Sequence, residues 1–187
     1  MVGETKNERA GACAGATRET MMGFRHRGLD GPKFQMREKL MAIGDDFWIE
    51  DEGGSKVYKV NGKALRMRDT FVLEDANGNE VSKIQEKKLS VRDKMSIERG
   101  STKATVHKRL LGIRDHYIIE VDGAPDLKAH GNIVDHEYEI ERDGDTVATV
   151  SKKWFRVRDS YGVQMAAGQD VPLILAITVC VDAMAAG

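Results

Sequence analysis

The sequence predicts a mainly β protein, a closed antiparallel barrel of about twelve strands around a buried hydrophobic helix at the C-terminal end. Three observations lead to this fold. A motif recurs along the middle of the chain, a glycine turn separates its copies, and one long apolar segment follows them. Each observation concerns a different part of the fold.

The composition limits the class of function. The chain has 187 residues, which suits one domain with a tail, and 29 Lys and Arg nearly balance 30 Asp and Glu. A general nucleic-acid binder usually carries a basic excess, so nucleic acid is not an expected partner. Cys13 and Cys180 lie far apart in unlike contexts, which favours neither a disulfide framework nor a cysteine zinc site. A cytoplasmic location fits this cysteine content.

The N-terminal 35 residues differ from the rest of the chain. They are rich in Gly, Ala, Thr and Arg and show no apolar periodicity. They also contain no apolar run of the kind found in a secretory signal. We expect residues 1–35 to be a disordered leader or a tag, and residues 36–187 to form the barrel domain.

A motif of the form apolar-x-apolar-Arg-Asp-x-apolar-x-apolar recurs in the middle of the chain. Full copies cover Leu65–Leu73, Leu89–Ile97, Leu111–Ile119 and Phe155–Val163, and weaker copies that keep only the Asp cover Met41–Ile49 and Asn132–Tyr138. Apolar residues alternate with polar ones on both sides of Arg-Asp, which is typical of half-buried strands. We expect Arg-Asp-x to form a three-residue hairpin loop, with a bulged continuous strand as the alternative.

A glycine turn signal lies between successive copies of the motif. It reads Gly53-Gly54, Asn77-Gly78, Arg99-Gly100, Asp122-Gly123 and Asp143-Gly144. Glycine after Asn or Asp favours a hairpin because such turns need a positive φ. Six copies of two strands therefore give twelve strands, and a sheet of this size leaves unpaired edges unless it closes. The lumen of such a barrel is too wide for its own side chains to fill.

The C-terminal segment supplies the material that would fill this lumen. It is apolar on all sides from Val171 to Val181, which predicts a helix over about 171–185 that is buried on every face. Asp170 can cap the helix, and Pro172 is tolerated in the first turn. The apolar run is shorter than the roughly 20 residues that a transmembrane helix needs. A very hydrophobic strand is the competing interpretation.

These features together resemble the LURP-one-related family, which belongs with tubby C-terminal domains and phospholipid scramblases. The resemblance rests on the Arg-Asp hairpins, the start Met36–Leu40 leading to Asp45-Asp46-Phe47, the stretch Gly131–Tyr138 and the closing apolar segment. It covers about residues 36–186 and implies a twelve-stranded barrel around a hydrophobic C-terminal helix. Tubby domains bind phosphoinositides and scramblases act with calcium at membranes. The chain has neither a calcium loop nor an identifiable phosphoinositide pocket.

Basic residues recur once in each hairpin and are the candidate ligand-binding residues. They are Lys63, Arg68, Lys87, Lys88, Arg92, Lys108, Arg109, Arg114, Lys152, Lys153 and Arg158. A rim of cations at one end of a barrel would take lipid headgroups or another phosphate ligand. The structural alternative is that the lysines face solvent and each Arg pairs with a neighbouring Asp, which itself favours a turn.

Histidines and carboxylates near two of the turns raise the question of a metal site. His116 and His136 occupy the same position of the motif, and the group also includes His130, Asp115, Asp135 and Glu137. The spacing matches no known ligand motif, so the sequence predicts no metal and no cofactor.

Catalytic signals are absent from the sequence. It contains no nucleophile elbow, phosphate-binding loop or zinc-protease motif. Cys180 is expected to be buried and weakly reactive. Trp48, Trp154 and Phe155 are expected to pack in the barrel rather than to stack on bases.

The sequence therefore favours a non-enzymatic binding or scaffold protein. Its expected ligand is an anionic lipid headgroup or a phosphorylated group at a membrane surface, with a cytoplasmic, peripheral location and no transmembrane span. The alternative is a protein-interaction module in stress or defence signalling that has no lipid ligand. An enzyme with an unrecognised site at a barrel end is a third interpretation. The sequence leaves the oligomeric state open.

Overall fold

The computed structural model describes residues 29–37, 46–61, 70–87, 94–109, 116–154 and 160–186. These residues form twelve strands, a short 3₁₀ turn at Lys152–Trp154 and one long helix, α1, at Val171–Ala186. The strands are β1 Lys33–Arg37, β2 Phe47–Asp51, β3 Lys56–Asn61, β4 Thr70–Asp75, β5 Glu80–Glu86, β6 Lys94–Arg99, β7 Thr102–Arg109, β8 His116–Val121, β9 Leu127–Asn132, β10 Glu137–Arg142, β11 Asp145–Ser151 and β12 Ser160–Met165.

The strands form a closed antiparallel barrel. Each strand pairs with its neighbours in the chain, and β1 closes the barrel by pairing with β12. In this closing pair Phe34 lies opposite Val163 and Met36 lies opposite Tyr161, and all four side chains are buried. Closure leaves no strand edge exposed for pairing with another chain. The predicted fold is therefore confirmed.

The two ends of the barrel differ in the connections that they carry. The first end carries the connections β1–β2, β3–β4, β5–β6, β7–β8, β9–β10 and β11–β12, and the second end carries the others together with the start of α1. The Arg-Asp sequences fall in connections of the first end. Residues 38–45, 62–69, 88–93, 110–115 and 155–159 are outside the described residues. The prediction of a three-residue Arg-Asp-x loop is wrong, because the residue at position x belongs to the strand that follows. His116, for example, begins β8 and pairs with Arg109, so residues 110–115 connect this pair of strands.

The predicted glycine turns all lie at the second end. Gly54 and Gly78 have φ of 79° and 84°, a conformation that glycine adopts without strain. Before each of these glycines an aspartate caps the turn. The Asp51 carboxylate accepts hydrogen bonds from the amides of Gly53 and Ser55, both at 2.9 Å. Asp75 binds its own turn in the same way, so local side-chain chemistry determines where these hairpins reverse.

The helix fills the lumen, as predicted. The Asp170 side chain accepts a hydrogen bond from the Leu173 amide at 3.2 Å, and its carbonyl accepts one from Ile174 at 3.0 Å. Every residue from Leu173 to Asp182 is buried, because the barrel surrounds the helix on all sides. The competing interpretation as a strand is wrong. No helix in the described part of the chain has the length and apolar character needed to cross a membrane.

The barrel begins slightly before residue 36. Strand β1 starts at Lys33, and the buried Phe34 belongs to the core. Only Phe34 and Met36 of this strand face inward, and two apolar residues are too short a pattern to mark a strand in the sequence. Residues 1–28 are outside the described residues.

The two tryptophans pack on the outer wall of the barrel. Trp48 lies between the inward-facing Phe47 and Ile49, so strand alternation turns it outward. Lys56 Nζ lies 5.4 Å from the Trp48 ring centroid, and Lys33 Nζ lies 5.3 Å from that of Trp154. Both rings are half-buried and lie beneath lysine side chains, and Trp154 belongs to the 3₁₀ turn after β11. Phe155 is outside the described residues.

The helix should be indispensable for folding. Ile177 is fully buried at its centre, so Ile177→Asp places an unpaired charge in the core at a cost of several kcal/mol. We expect little soluble protein and no cooperative thermal unfolding by circular dichroism. The matched control is Ala186→Asp, at the exposed end of the same helix, which should fold normally. Native-like unfolding of Ile177→Asp would contradict the role of the helix as the core.

Candidate functional site

Acidic residues predominate at the second end of the barrel. In the described connections and the strand residues next to them, the basic residues at this end are Lys33, Lys56, Arg99 and Arg142. The acidic residues are Asp30, Asp51, Glu52, Asp75, Glu80, Asp122, Asp126, Asp143, Asp145 and Asp170. Several of them serve structural purposes, since Asp51 and Asp75 cap turns and Asp170 caps α1. Their combined charge makes this end negative.

Basic residues predominate at the first end. In the described connections and adjoining strand residues, the acidic residues are Asp46, Glu86, Asp135 and Glu137. The basic residues are Arg37, Lys87, Lys94, Arg109, Lys152 and Lys153, and Lys108 lies one residue further into the barrel wall. The connections outside the described residues also contain more Lys and Arg than Asp and Glu in their sequence. The described residues thus give the barrel one positive and one negative end.

The predicted ligand-binding residues divide into two groups. Lys63, Arg68, Lys88, Arg92, Arg114 and Arg158 are outside the described residues. Lys87, Lys108, Arg109, Lys152 and Lys153 all lie at or beside the first end. Among these, Lys87 and Arg109 are exposed, whereas Lys108 turns toward the lumen with its amine 6.0 Å from the Tyr117 ring centroid. The five described residues come from three connections of the same end.

Glu137 organises the connection that carries Lys152 and Lys153. Its carboxylate accepts hydrogen bonds from the Ser151 hydroxyl at 2.9 Å, the Lys152 amide at 3.1 Å and the Lys153 amine at 3.2 Å. The Lys153 side chain nevertheless remains 77% exposed. Such an exposed ion pair contributes little to stability, so Lys153 is still accessible to a ligand.

The turn between β9 and β10 presents an apolar tip at the same end. Val134 is 68% exposed, the one large hydrophobic side chain so exposed in the described ranges, while the preceding Ile133 is buried. The turn is fixed by a hydrogen bond from the Asn132 amide group to the Asp135 carboxylate at 2.6 Å and one from the His136 amide to the Ile133 carbonyl at 3.0 Å. The turn therefore holds Val134 outward at the first end of the barrel.

A polar cluster lies inside the barrel toward the first end. Asp182 of α1 accepts hydrogen bonds from the hydroxyls of Tyr138, at 3.4 Å, and Tyr161. His136 Nδ1 lies 3.3 Å from the same carboxylate, and its ring stacks on Tyr161 with centroids 4.3 Å apart. All four side chains are buried. The cluster joins the helix to three elements of the wall and suits a structural role.

Burial controls the protonation of the groups around this cluster. Desolvation, followed by the nearby Asp182 charge, raises the pKa of the Tyr138 hydroxyl well above its ordinary value. Burial likewise raises the pKa of the Cys180 thiol, which is fully enclosed. A thiol in this state is weakly nucleophilic, which confirms the expectation for Cys180.

The predicted histidine group is only partly assembled. His116 and His130 are cross-strand neighbours on the outer wall, with ring centroids 6.1 Å apart, whereas His136 faces inward. Asp115 is outside the described residues. His130 instead contacts Glu141, with Nε2 3.1 Å from the carboxylate, and Glu139 lies beside them. Sequence reasoning missed both glutamates, although Glu139-x-Glu141 places two carboxylates on one face of a strand.

Removing the Tyr138 hydroxyl should change how stability depends on pH. The pKa of Tyr138 is raised in the folded state, while the unfolded group titrates near pH 10. Its stabilising effect is therefore complete below about pH 10 and is lost as the pH rises toward the folded pKa. Tyr138→Phe should lower the free energy of unfolding by about 1 kcal/mol at neutral pH.

When the pH is raised from neutral to above about 10, Tyr138→Phe should lose less stability than the wild type loses. The free energy of unfolding in urea, measured at each pH, tests this expectation. Tyr58→Phe is a comparison variant: the pKa of its partly buried hydroxyl is raised less, so this variant should show a smaller change of the same sign. Parallel pH profiles for the wild type and Tyr138→Phe would contradict the assignment.

Comparisons with known proteins agree with this architecture. The sequence profile described as LURP-one-related matches residues 33–182. The X-ray structure of a protein from Arabidopsis thaliana is similar in fold, with a TM-score of 0.57 and 16% sequence identity over 84% of this chain and 93% of that chain. A search of curated proteins found no match. The profile match extends from the first strand of the barrel into its central helix, and the chain therefore belongs to the LURP-one-related family.

Proposed function

We propose that this protein is a non-enzymatic binding protein whose first end docks on an anionic phospholipid surface. The observation that carries the proposal is the separation of charge between the two ends of the barrel. A peripheral location at the cytoplasmic side of a membrane follows, because anionic lipids give that surface a negative potential. The candidate headgroup-binding residues remain the basic residues predicted from the sequence.

The charge separation would determine the orientation of the barrel on the membrane. Each Lys or Arg close to an anionic surface contributes about 1 kcal/mol of attraction, and the effect fades within a Debye length. Lys87, Arg109 and Lys153 lie at the end that would face the lipid and have exposed side chains. The acidic second end would point away from the membrane, since its charge is repelled.

The apolar tip favours a membrane over a small soluble anion as the ligand. Val134 is held outward at the basic end by its turn. A free phosphate ion is polar on every side and would gain nothing from contact with this apolar side chain. A lipid surface takes both features, because the headgroups attract cations and the acyl region accepts an apolar side chain. A protein partner without lipid is the alternative that the experiments below would reveal.

Neutralising the exposed cations of the first end should weaken binding to anionic vesicles. The test variant combines Lys87→Gln, Arg109→Gln and Lys153→Gln, and it should bind phosphatidylcholine vesicles containing phosphatidylserine at least about tenfold more weakly than the wild type. Co-sedimentation at low ionic strength measures the effect. The loss should shrink as salt is raised, because salt screens the attraction.

The matched control makes the same charge change away from the first end. It combines Lys56→Gln, Lys103→Gln and Lys128→Gln, three exposed lysines on or near the second end. This control should bind nearly as well as the wild type. Equal losses in both triple variants, or no salt-sensitive binding by the wild type, would contradict the proposal.

Val134→Ser tests the apolar contact separately. Losing the insertion of one valine should weaken vesicle binding by about three- to tenfold. Unlike the charge variant, this loss should be similar at low and high salt, because apolar burial is not screened. The control is Ala124→Ser, in an exposed turn at the second end, which should bind vesicles as well as the wild type. Unchanged binding by Val134→Ser would exclude membrane insertion of this turn.

A further inference from the structure

We propose that the outer wall of the barrel carries a binding site for a divalent transition-metal ion of the zinc type, formed by His130, Glu139 and Glu141. The site lies on strands β9 and β10, on the face opposite the lumen. The site is independent of the proposed lipid-binding end, because neither the basic residues of that end nor Val134 contributes a metal ligand.

The strand register brings the three side chains together. His130 lies directly opposite Glu139 in the antiparallel pair, and Glu141 follows two residues later on the same face. One ligand atom from each residue can be chosen so that all three lie within 4.8 Å of one another. His130 Nε2 lies 3.1 Å from the Glu141 carboxylate.

These separations are close to those of a metal site. Zinc binds imidazole nitrogen and carboxylate oxygen at about 2.0–2.2 Å, so neighbouring ligand atoms in a tetrahedral site lie about 3.4 Å apart. The 3.1 Å between His130 Nε2 and the Glu141 carboxylate is near this spacing, and a Glu139 carboxylate oxygen lies within 4.8 Å of both other ligand atoms. The Thr146 hydroxyl donates a hydrogen bond to Glu139 at 3.4 Å, the kind of outer contact that orients a ligating carboxylate.

The cluster places two carboxylates on the same face of one strand, beside the His130 imidazole. Two like charges close together repel each other, and a bound cation removes that repulsion. The exposed Lys128 is opposite Glu141 in the register and is one available counter-charge. A divalent ion bound by all three groups would neutralise both carboxylates at once.

The donor set selects the class of ion. One imidazole and two carboxylates suit zinc and similar first-row metals, whereas magnesium and calcium prefer oxygen ligands alone. His116 lies opposite His130 on β8, with the ring centroids 6.1 Å apart, and is outside the group of three ligands. All three proposed ligands are half-buried, which limits but does not prevent access of water to a remaining coordination position.

The test is the titration of the full chain with zinc chloride by isothermal calorimetry, with cobalt absorption as a second readout of ligand geometry. We expect one zinc ion to bind through this cluster, and magnesium not to displace it. Glu139→Gln should lower zinc affinity at least about tenfold, and so should His130→Ala. Glu139→Gln conserves the shape of the side chain, so circular dichroism should show an intact fold.

Glu98→Gln and Glu120→Gln are the matched controls, because both remove an exposed carboxylate from the outer wall elsewhere. They should leave the affinity unchanged. Zinc should also raise the thermal unfolding temperature of the wild type and of both controls, and should raise that of Glu139→Gln by less at the same zinc concentration. Absence of zinc binding, or binding that is unaltered in His130→Ala and Glu139→Gln, would overturn the proposal.

Discussion

The twelve strands enclose a lumen that their own inward side chains do not fill, and the rest of the structure depends on the helix that fills it. Closing the sheet satisfies the strand edges but leaves an interior wider than the inward side chains can occupy. Helix α1 meets the requirement by being apolar on every face, and its residues from Leu173 to Asp182 are all buried. The usual amphipathic pattern is absent because no face of this helix meets solvent.

Two polar contacts place the helix along the barrel axis. At the second end, the capping residue Asp170 forms an ion pair with Arg99 at 2.6 Å. Toward the first end, Asp182 accepts hydrogen bonds from Tyr138 and Tyr161. Apolar packing does not by itself define how far a uniformly hydrophobic helix slides, whereas a buried carboxylate tolerates few positions. The interior cluster therefore fixes the position of the helix along the barrel axis. The candidate binding sites lie instead at the first end and on the outer wall.

The sequence was informative wherever a feature depends on residues close together in the chain. The glycine turns, the cap at Asp170 and the apolar core helix follow from local patterns, and all were predicted. The site was predicted less completely. The basic residues Lys87, Arg109 and Lys153 were predicted from the sequence. Only the structure showed that they lie at one end of the barrel and that the acidic turns lie at the other end. The exposure of Val134 and the meeting of His130 with Glu139 were not foreseen.

The chain by itself determined the fold class, because a repeated motif with period-2 alternation specifies strands and a uniformly apolar segment specifies a buried helix. Only the tertiary structure decided which side chains share a face or an end. His116 and His136 occupy equivalent positions in the motif, yet one lies on the outer wall and the other contacts Asp182 inside the barrel. The reason is physical: strand register and barrel closure join residues far apart in sequence, and a local pattern carries no information about that registration.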